Sequence, residues 1–291
     1  MIDLFLNYLR YERNRSELTV LTYEKSLKHF EAYFKSKEDS LDWASVDADV
    51  IRSWMEDMMD RGDKATTVGT GLSAVRSFYR FALARGLVKK DPAHQVQAPK
   101  KQKPLPQFVK EGQMDALLDA ACGDDYKTVR ARTIIILLYE AGLRRAELIG
   151  LDDDDVDFAA MQLKVTGKRN KQRLIPFGEE MAAQLKNYMA VRDEQVDKQS
   201  KALFLGRNGQ RISQTTVYNI VREQLQQVST LKKRSPHVLR HSFATAMLNH
   251  DAGLESVRKL LGHESLETTE IYTHTTFEQL RRIYKESHPR G

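Results

Sequence analysis

The stretch DPAHQVQAPKKQKPLPQF, residues 91–108, holds four of the chain's seven prolines together with Lys100, Lys101 and Lys103. Proline removes backbone donors and pushes the preceding residue toward extended conformations, so such a run reads as an extended linker that builds no core of its own. The chain is therefore expected to fold as two bodies. Their predicted limits are residues 1–97 and 109–291, with the linker proper over 98–108. A chain of 291 residues is long enough for each body to bury a separate core.

Both bodies read as mainly α. Residues 19–34 carry helical periodicity through Leu21, Leu27, Phe30 and Phe34, and residues 50–59 repeat it through Ile51, Trp54 and Met58. A third helix over 66–84 lines up Leu72, Val75, Tyr79 and Leu83, with Gly86 ending it. On that helix Arg76 and Arg80 are four apart on a different face, so the pattern predicts two cations pointing outward. The second body opens with predicted helices at 110–121 and 126–141. Residues 161–166 and 173–176 are short extended runs on either side of GKRNK, which predicts a small antiparallel hairpin. Helical patterns resume at Gly178 and run to the end. The acidic run at 152–155 lacks the glycine and terminal glutamate of a calcium loop and reads as a helix-flanking loop.

Composition narrows the function classes. Hydrophobic residues at 41% and charged residues at 30% describe a soluble globular protein. No apolar run approaches the roughly eighteen residues needed to span a bilayer. The N-terminal MIDLFLNYLRYERN has an acid at position three and no small-residue cleavage site, so no leader is expected and the predicted location is the cytoplasm. Cys122 is the single cysteine and permits no internal disulfide. The net charge of +6 is unevenly placed: residues 1–60 hold 8 Lys+Arg against 13 Asp+Glu, whereas residues 61–103 hold 10 against 2. That basic segment includes Lys64, Arg76, Arg80, Lys100, Lys101 and Lys103. It suits contact with nucleic-acid phosphates, and equally an ordinary solvated face.

Candidate site residues cluster in the second body. AGLRRAEL places Arg144 and Arg145 at a helix start with Glu147 three residues after Arg144. GKRNK puts Lys168 at the tip of the hairpin. In HVLRHSFAT, His237 and Arg240 lie one helical turn apart and share a face. LLGHESLETTEIYTH adds His263 and Tyr272. Each alone has an ordinary structural explanation, but a phosphodiester would need them together. Attack on phosphorus concentrates negative charge on the non-bridging oxygens, which two guanidinium forks hold without a metal ion. A phenol with a pKa of about 10 needs cations and a nearby base to act as nucleophile. The leaving 5′-oxygen needs a proton donor, a role that Lys168 on a hairpin tip suits. A zinc site on His237 and His241 lacks the glutamate of HExxH and a nearby cysteine, so no metal is expected.

GLRRAEL, the GKxxK hairpin, HVLRHSFAT, LLGH and IYTH resemble, in order and spacing, the signature boxes of the tyrosine recombinases, most closely the Xer subfamily. The resemblance spans nearly the whole chain. It implies a helical core-binding (SAM-like) domain and a mostly α catalytic domain with a small antiparallel sheet. It also implies that Arg144, Lys168, His237, Arg240 and His263 activate a DNA phosphate, that Glu147 supports them, and that Tyr272 is the nucleophile. In the family the enzyme forms a 3′-phosphotyrosyl link and passes strands through a Holliday junction without cofactors. Its partner is double-stranded DNA, held by a homo- or hetero-tetramer on two sites, in some cases with a second Xer-type recombinase and a DNA translocase. Dimer resolution of chromosomes or plasmids is the implied role. Alternatives are integration of a mobile element or phage, a type IB topoisomerase-like activity and a silent DNA-binding protein. Two positions depart from the family pattern: Arg145 stands where a small or apolar residue is usual, and Ala246 replaces a histidine. After IYTH, Phe277, Leu280 and Ile283 repeat at helical spacing on a face too small for a core; the resemblance implies a helix that reaches into a neighbouring subunit.

Overall fold

A computed structural model describes residues 1–40, 42–100, 107–121, 123–167, 170–262 and 283–288. The chain divides into two compact units, Met1–Pro104 and Leu105–Gly291.

The first unit is built on aromatic burial between helices. α1 (Ile2–Asn7) runs into a π turn at Tyr8–Glu12, followed by α2 (Glu17–Lys37), α3 (Ala48–Asp60) and α4 (Ala65–Ala84). Side-chain caps set two of these starts. The Ser16 hydroxyl accepts from the Thr19 amide, and the Asp47 carboxylate accepts from the amides of Asp49 and Val50, the latter pair at 2.9 Å. Phe30, Phe34, Trp43, Trp54 and Phe78 fill the centre, with the Trp43 and Phe78 rings 4.3 Å apart. Each such ring contributes about 1.5–3 kcal/mol by leaving water. The three expected helices are present. α1 is an addition, although the i, i+3, i+4, i+7 spacing of Ile2, Phe5, Leu6 and Leu9 carries its signal, and all four side chains are buried.

Arg76 departs from the expectation of two outward cations. Its Nε donates to the Ala93 carbonyl at 3.3 Å and its Nη2 to that of Val96. The chain after α4 folds back over that face, burying Val88, Ala93 and Val96. The first residues of the proline-rich stretch therefore belong to the first unit, and Arg76 clamps them there. Arg80 stays exposed.

In the second unit α5 (Glu111–Asp119) precedes α6 (Tyr126–Glu140), which is buried on nearly all sides and forms the spine of the core. After α7 (Arg145–Gly150) comes a three-stranded antiparallel sheet of β1 (Val156–Asp157), β2 (Gln162–Thr166) and β3 (Gln172–Pro176). Leu163 pairs with Ile175 and Val165 with Arg173, so Arg173 lies on the same side of β3 as buried Ile175. The helices α8 (Glu179–Gln195), α9 (Gln214–Val228), α10 (Pro236–Asn249) and α11 (Leu254–Leu261) follow.

Three further outcomes bear on the sequence reading. Residues 196–213 are not helical, contrary to the expectation of helix from Gly178 onward; they form a loop with isolated bridges at Ala202 and Leu205. Within it Gly209 is a required glycine, since its φ is +71° and a Cβ there would stand 1.9 Å from the Asp197 carbonyl oxygen. Buried donors hold the loop: Arg130 and Tyr126 each reach the Leu205 carbonyl at 2.7 Å, and Arg192 reaches that of Leu203 at 2.8 Å. The acidic run, expected as loop, instead forms a bridge at Asp152 and a 3-10 turn at Asp153–Asp155, and its carboxylates face protein cations. Asp152 pairs with Arg211 and Lys201, Asp153 with buried Arg192 and Lys198, and Asp155 with Lys164. Finally, residues 283–288 pack on their own unit: Tyr284 is 2% exposed in a cluster with Phe243, Leu260 and Leu261, and its ring lies 5.0 Å from that of His288. Of the apolar face expected after IYTH, Phe277 and Leu280 lie outside the described residues.

Two of the glycines that end helices in the left-handed region differ in surroundings. Gly142, after α6, has φ +57° and a Cβ there would meet Phe243 at 2.6 Å, whereas Gly86, after α4, has φ +67° and nothing within 4 Å. We expect Gly86→Ala to cost about 1–2 kcal/mol from backbone strain alone. Gly142→Ala adds overpacking of about 1–3 kcal/mol more. Urea unfolding of both variants checks the difference; equal losses would show that Phe243 moves aside freely.

Candidate active site

The site grows from the turn between α6 and α7. Glu147 sits in the first turn of α7, where its carboxylate accepts the Arg144 backbone N–H at 2.9 Å and fixes the helix start. Its side chain is only 3% exposed. A lone carboxylate there would be costly, and three guanidiniums converge on it. Arg144 donates from Nη1 at 2.6 Å. Arg173, from β3, donates from Nη1 at 3.0 Å and Nη2 at 2.8 Å, a bidentate fork. Arg240, from α10, approaches to 3.9 Å.

The same three guanidiniums hold the end of α11. Arg173 Nε donates to the Leu260 carbonyl at 2.9 Å, Arg240 Nη2 to that of Leu261 at 2.6 Å, and Arg144 Nη2 to that of Gly262 at 3.1 Å. These carbonyls have lost their helical partners, and the negative end of the helix dipole adds to the attraction. Gly262 closes the helix in the left-handed conformation, with φ +62° and ψ +46°. Arg240 Nη1 also donates to the Gly142 carbonyl at 2.6 Å, tying α10 to the turn that carries Arg144.

Electrostatics follow from this crowding. Burial raises the Glu147 pKa, but hydrogen bonds and charge from Arg173, then Arg144, outweigh it and bring it down to about 2. Burial, then the charges of Arg144 and Arg173, push Arg240 down to about 10 against the opposing pull of Glu147, so it stays protonated at neutral pH. His237, one turn before Arg240 and exposed at the start of α10, has its pKa lowered by partial desolvation and then by Lys233, Arg145, Arg240 and His241. The shift favours the neutral imidazole, the form that can accept a proton. Three guanidiniums against one carboxylate leave surplus positive charge, most accessible at Arg144, whose side chain is 38% exposed against 15% for Arg173 and 9% for Arg240.

The expected residues Arg144, Glu147 and Arg240 are thus brought together. Arg145 turns elsewhere and donates to Gln214 on α9 at 2.9 Å, which leaves Arg144 as the arginine of the cluster. Lys168, His263 and Tyr272 lie outside the described residues, as do Lys101 and Lys103. The chain leading to two of them is placed: Gly167 lies beside Glu147, with a hypothetical Cβ 3.4 Å from Oε1, and Gly262 immediately precedes His263. Of the expected phosphate contacts in the first unit, Lys64, Arg80 and Lys100 are exposed. Arg80 lines a surface cavity of about 420 Å3 with Tyr23, Ser73, Arg76, Asp91 and His94. Sequence reasoning missed Arg173. The available signal was a cation on the apolar side of a strand, a position that calls for a buried acid. Among the described residues no cluster of His, Cys, Asp and Glu has the makings of a metal site, and no helix is long and apolar enough to cross a membrane.

Residues 107–279 match the phage integrase family, and residues 2–86 match the phage integrase N-terminal SAM-like domain. Over 300 residues the chain is 38% identical to the tyrosine recombinase XerC of Pelotomaculum thermopropionicum, covering 100% of this chain and 98% of the relative. The chain belongs to the phage integrase family of tyrosine recombinases. It is also 37% identical over 290 residues to the tyrosine recombinase XerC of Vibrio vulnificus, covering 100% of this chain and 91% of that one. Among solved structures, the Tn1549 transposon integrase in complex with transposon right end DNA shares the fold at TM-score 0.74 and 20% identity, covering 98% of both chains. The XerH site-specific recombinase bound to its palindromic difH substrate shares it at TM-score 0.71 and 20% identity, covering 97% of this chain and 83% of that one. The recombinase fold is thus mainly α, with a SAM-like N-terminal unit and a catalytic unit holding a small antiparallel sheet.

The depressed pKa of Glu147 has a defined acid signature. Its stabilising contribution is complete above the ordinary carboxylate value of 4.5 and is lost as pH falls toward about 2. At neutral pH we expect Glu147→Gln to lower stability by about 3 kcal/mol, the equivalent of the shift. The gap between variant and wild type then narrows below pH 4.5. Urea titrations at stepped pH check this; parallel curves across the window would show that the ionised carboxylate stabilises nothing.

Proposed function

We propose that this recombinase cleaves and rejoins DNA at a site formed by Arg144, Lys168, His237, Arg240 and His263, with Tyr272 as nucleophile. The observation that carries the proposal is the pairing of Arg144 and Arg240 around one buried carboxylate, each with guanidinium N–H groups to spare. Those donors suit the non-bridging oxygens of a phosphodiester. The Tyr272 oxygen attacks phosphorus and forms the 3′-phosphotyrosyl bond as the bond to the 5′-oxygen breaks. The phenol proton passes to a neutral imidazole, for which His237 is suited by its lowered pKa. Lys168 gives a proton to the departing 5′-oxygen. Attack by a 5′-hydroxyl from a second duplex reverses the step, frees the tyrosine and moves the strand. Two such rounds, through a Holliday junction held by a tetramer on two DNA sites, exchange both strands.

Whole-length similarity to proteins named XerC supports resolution of chromosome or plasmid dimers as the purpose. The exposed Lys64, Arg80 and Lys100 hold phosphates on the N-terminal side, while Arg76 serves the fold of that unit.

Covalent protein–DNA adducts isolated from cells test the chemistry, and sequencing the trapped DNA gives the target site. Tyr272→Phe should abolish the adducts and leave DNA affinity within a few-fold, since only the nucleophilic oxygen is lost. Adducts that persist in the Phe variant would rule out Tyr272.

The two arginines of α4 should separate in a salt titration. Arg80→Ala is expected to weaken binding to all duplex sequences and to flatten the plot of log affinity against log salt by about one unit. Arg76→Ala should instead lower thermal stability. An unchanged slope for Arg80→Ala would return that residue to the solvated surface.

A further inference from the structure

We propose that Arg173 is a positioning residue of the cleavage site, acting through Glu147 to set the guanidinium of Arg144. The inference rests on the reading of Arg144 as a phosphate-binding residue. It starts from how three guanidiniums spend their donors. A guanidinium has five N–H groups. Arg144 spends one on Glu147 and one on the Gly262 carbonyl, and Arg240 spends one each on the carbonyls of Gly142 and Leu261. Each therefore keeps N–H groups for a ligand. Arg173 directs Nε to the Leu260 carbonyl and both ends of its fork to Glu147. It is turned to the protein on all three nitrogens.

Glu147 has two oxygens to share among the charges that face it: Arg144 at the start of α7, Arg173 on β3 and Arg240 on α10. With Arg173 in place, both oxygens are already engaged by its fork, and the Arg144 side chain makes one bond to Oε1. Without that fork the buried carboxylate would keep only Arg144 as a close side-chain partner. A second Arg144 donor would then be drawn inward to satisfy it, away from the solvent side where a phosphate must bind. Arg173 also bridges separate segments. β3 begins four residues after Lys168, and Leu260 lies three residues before His263. One guanidinium thus ties the hairpin, the Arg144 turn and the end of α11 to a common point. Misplacement of about 1 Å in such a constellation costs on the order of a hundredfold in rate.

Lysine preserves the charge but has no planar fork, so Arg173→Lys separates charge from geometry. The assay is single-turnover cleavage of a nicked duplex carrying the sequence recovered from wild-type covalent adducts, with affinity for the same duplex measured alongside. All work is done below the melting temperature of each variant. For Arg173→Lys we expect affinity within about threefold and a cleavage rate lower by roughly 10- to 100-fold. The pH profile should change as well, with the acid limb moving upward as Glu147 loses the fork that keeps it ionised. A purely structural role predicts a lower melting temperature with an unchanged rate for bound, folded protein, and that result would overturn the proposal. Loss of affinity in step with rate would overturn it too, because Arg173 would then be touching DNA. The double variant Glu147→Gln, Arg173→Lys should be no slower than the slower single variant if both act through Arg144; additive losses would oppose a shared route. Tyr272→Phe is run beside these. If it still forms adducts, the reading of the site fails; if it forms none while Arg173→Lys cleaves normally, only the role given to Arg173 fails.

Discussion

The buried carboxylate of Glu147 is the point on which the catalytic unit closes. Like charges repel strongly when water is excluded, so Arg144, Arg173 and Arg240 share a small space only because an acid stands between them. The dependence runs both ways. Burial alone would push Glu147 toward its neutral form, and the Arg173 fork is the largest of the influences that keep it ionised. Removing Glu147 would leave the three guanidiniums facing one another without an acid, and removing Arg173 would take the fork from a carboxylate that is only 3% exposed. Such a cluster is poor at adding net stability and good at selecting one arrangement over its neighbours, since each alternative leaves a partner unsatisfied.

The second consequence concerns the path of the chain. Each of three consecutive carbonyls, Leu260, Leu261 and Gly262, receives a different guanidinium. A helix end normally finds these partners in water or in a local cap. Here the cap is supplied by β3, α10 and the α6–α7 turn. The end of α11 is therefore fixed by the same groups that fix Arg144, and the chain leaves Gly262 toward His263 from a defined place. Gly142 extends this coupling: its left-handed conformation ends α6, its carbonyl accepts from Arg240, and its missing side chain admits Phe243. Fold and site share residues here, and the backbone of one is a hydrogen-bond partner of the other.

Local patterns were legible in the sequence, and contacts between distant segments were not. α2, α3 and α4 follow from apolar spacing, and the hairpin follows from alternation around GKRNK. Arg144, Glu147 and Arg240 were legible because GLRRAEL and HVLRHSFAT are contiguous boxes. Arg173 was not, because its partners lie 26 and 87 residues away. Arg76 misled for the same reason. Helical spacing places it correctly off the apolar stripe, but spacing says nothing of a chain that returns 17 residues later to offer a carbonyl. The loop at 196–213 escaped because its buried Ala202, Leu203, Phe204 and Leu205 mimic a helical or strand core, while Tyr126, Arg130 and Arg192 satisfy its backbone from elsewhere.

Charge balance connects the cluster to the proposed chemistry. Three guanidiniums and one carboxylate leave an excess of about two positive charges, counting each group as ionised at neutral pH. A bound phosphodiester brings one negative charge, and attack by an oxyanion raises the charge at phosphorus to about two. The excess would therefore be only half compensated in the bound state and fully compensated as the new bond forms. Donors fixed by Glu147 and by the end of α11 need not reorient during that change, which is where such a site gains its advantage over water. A second carboxylate in the cluster would make the empty site more comfortable and the reacting one less so. Holding the acid count at one, and satisfying it with the arginine turned away from solvent, leaves the remaining charge for the phosphate.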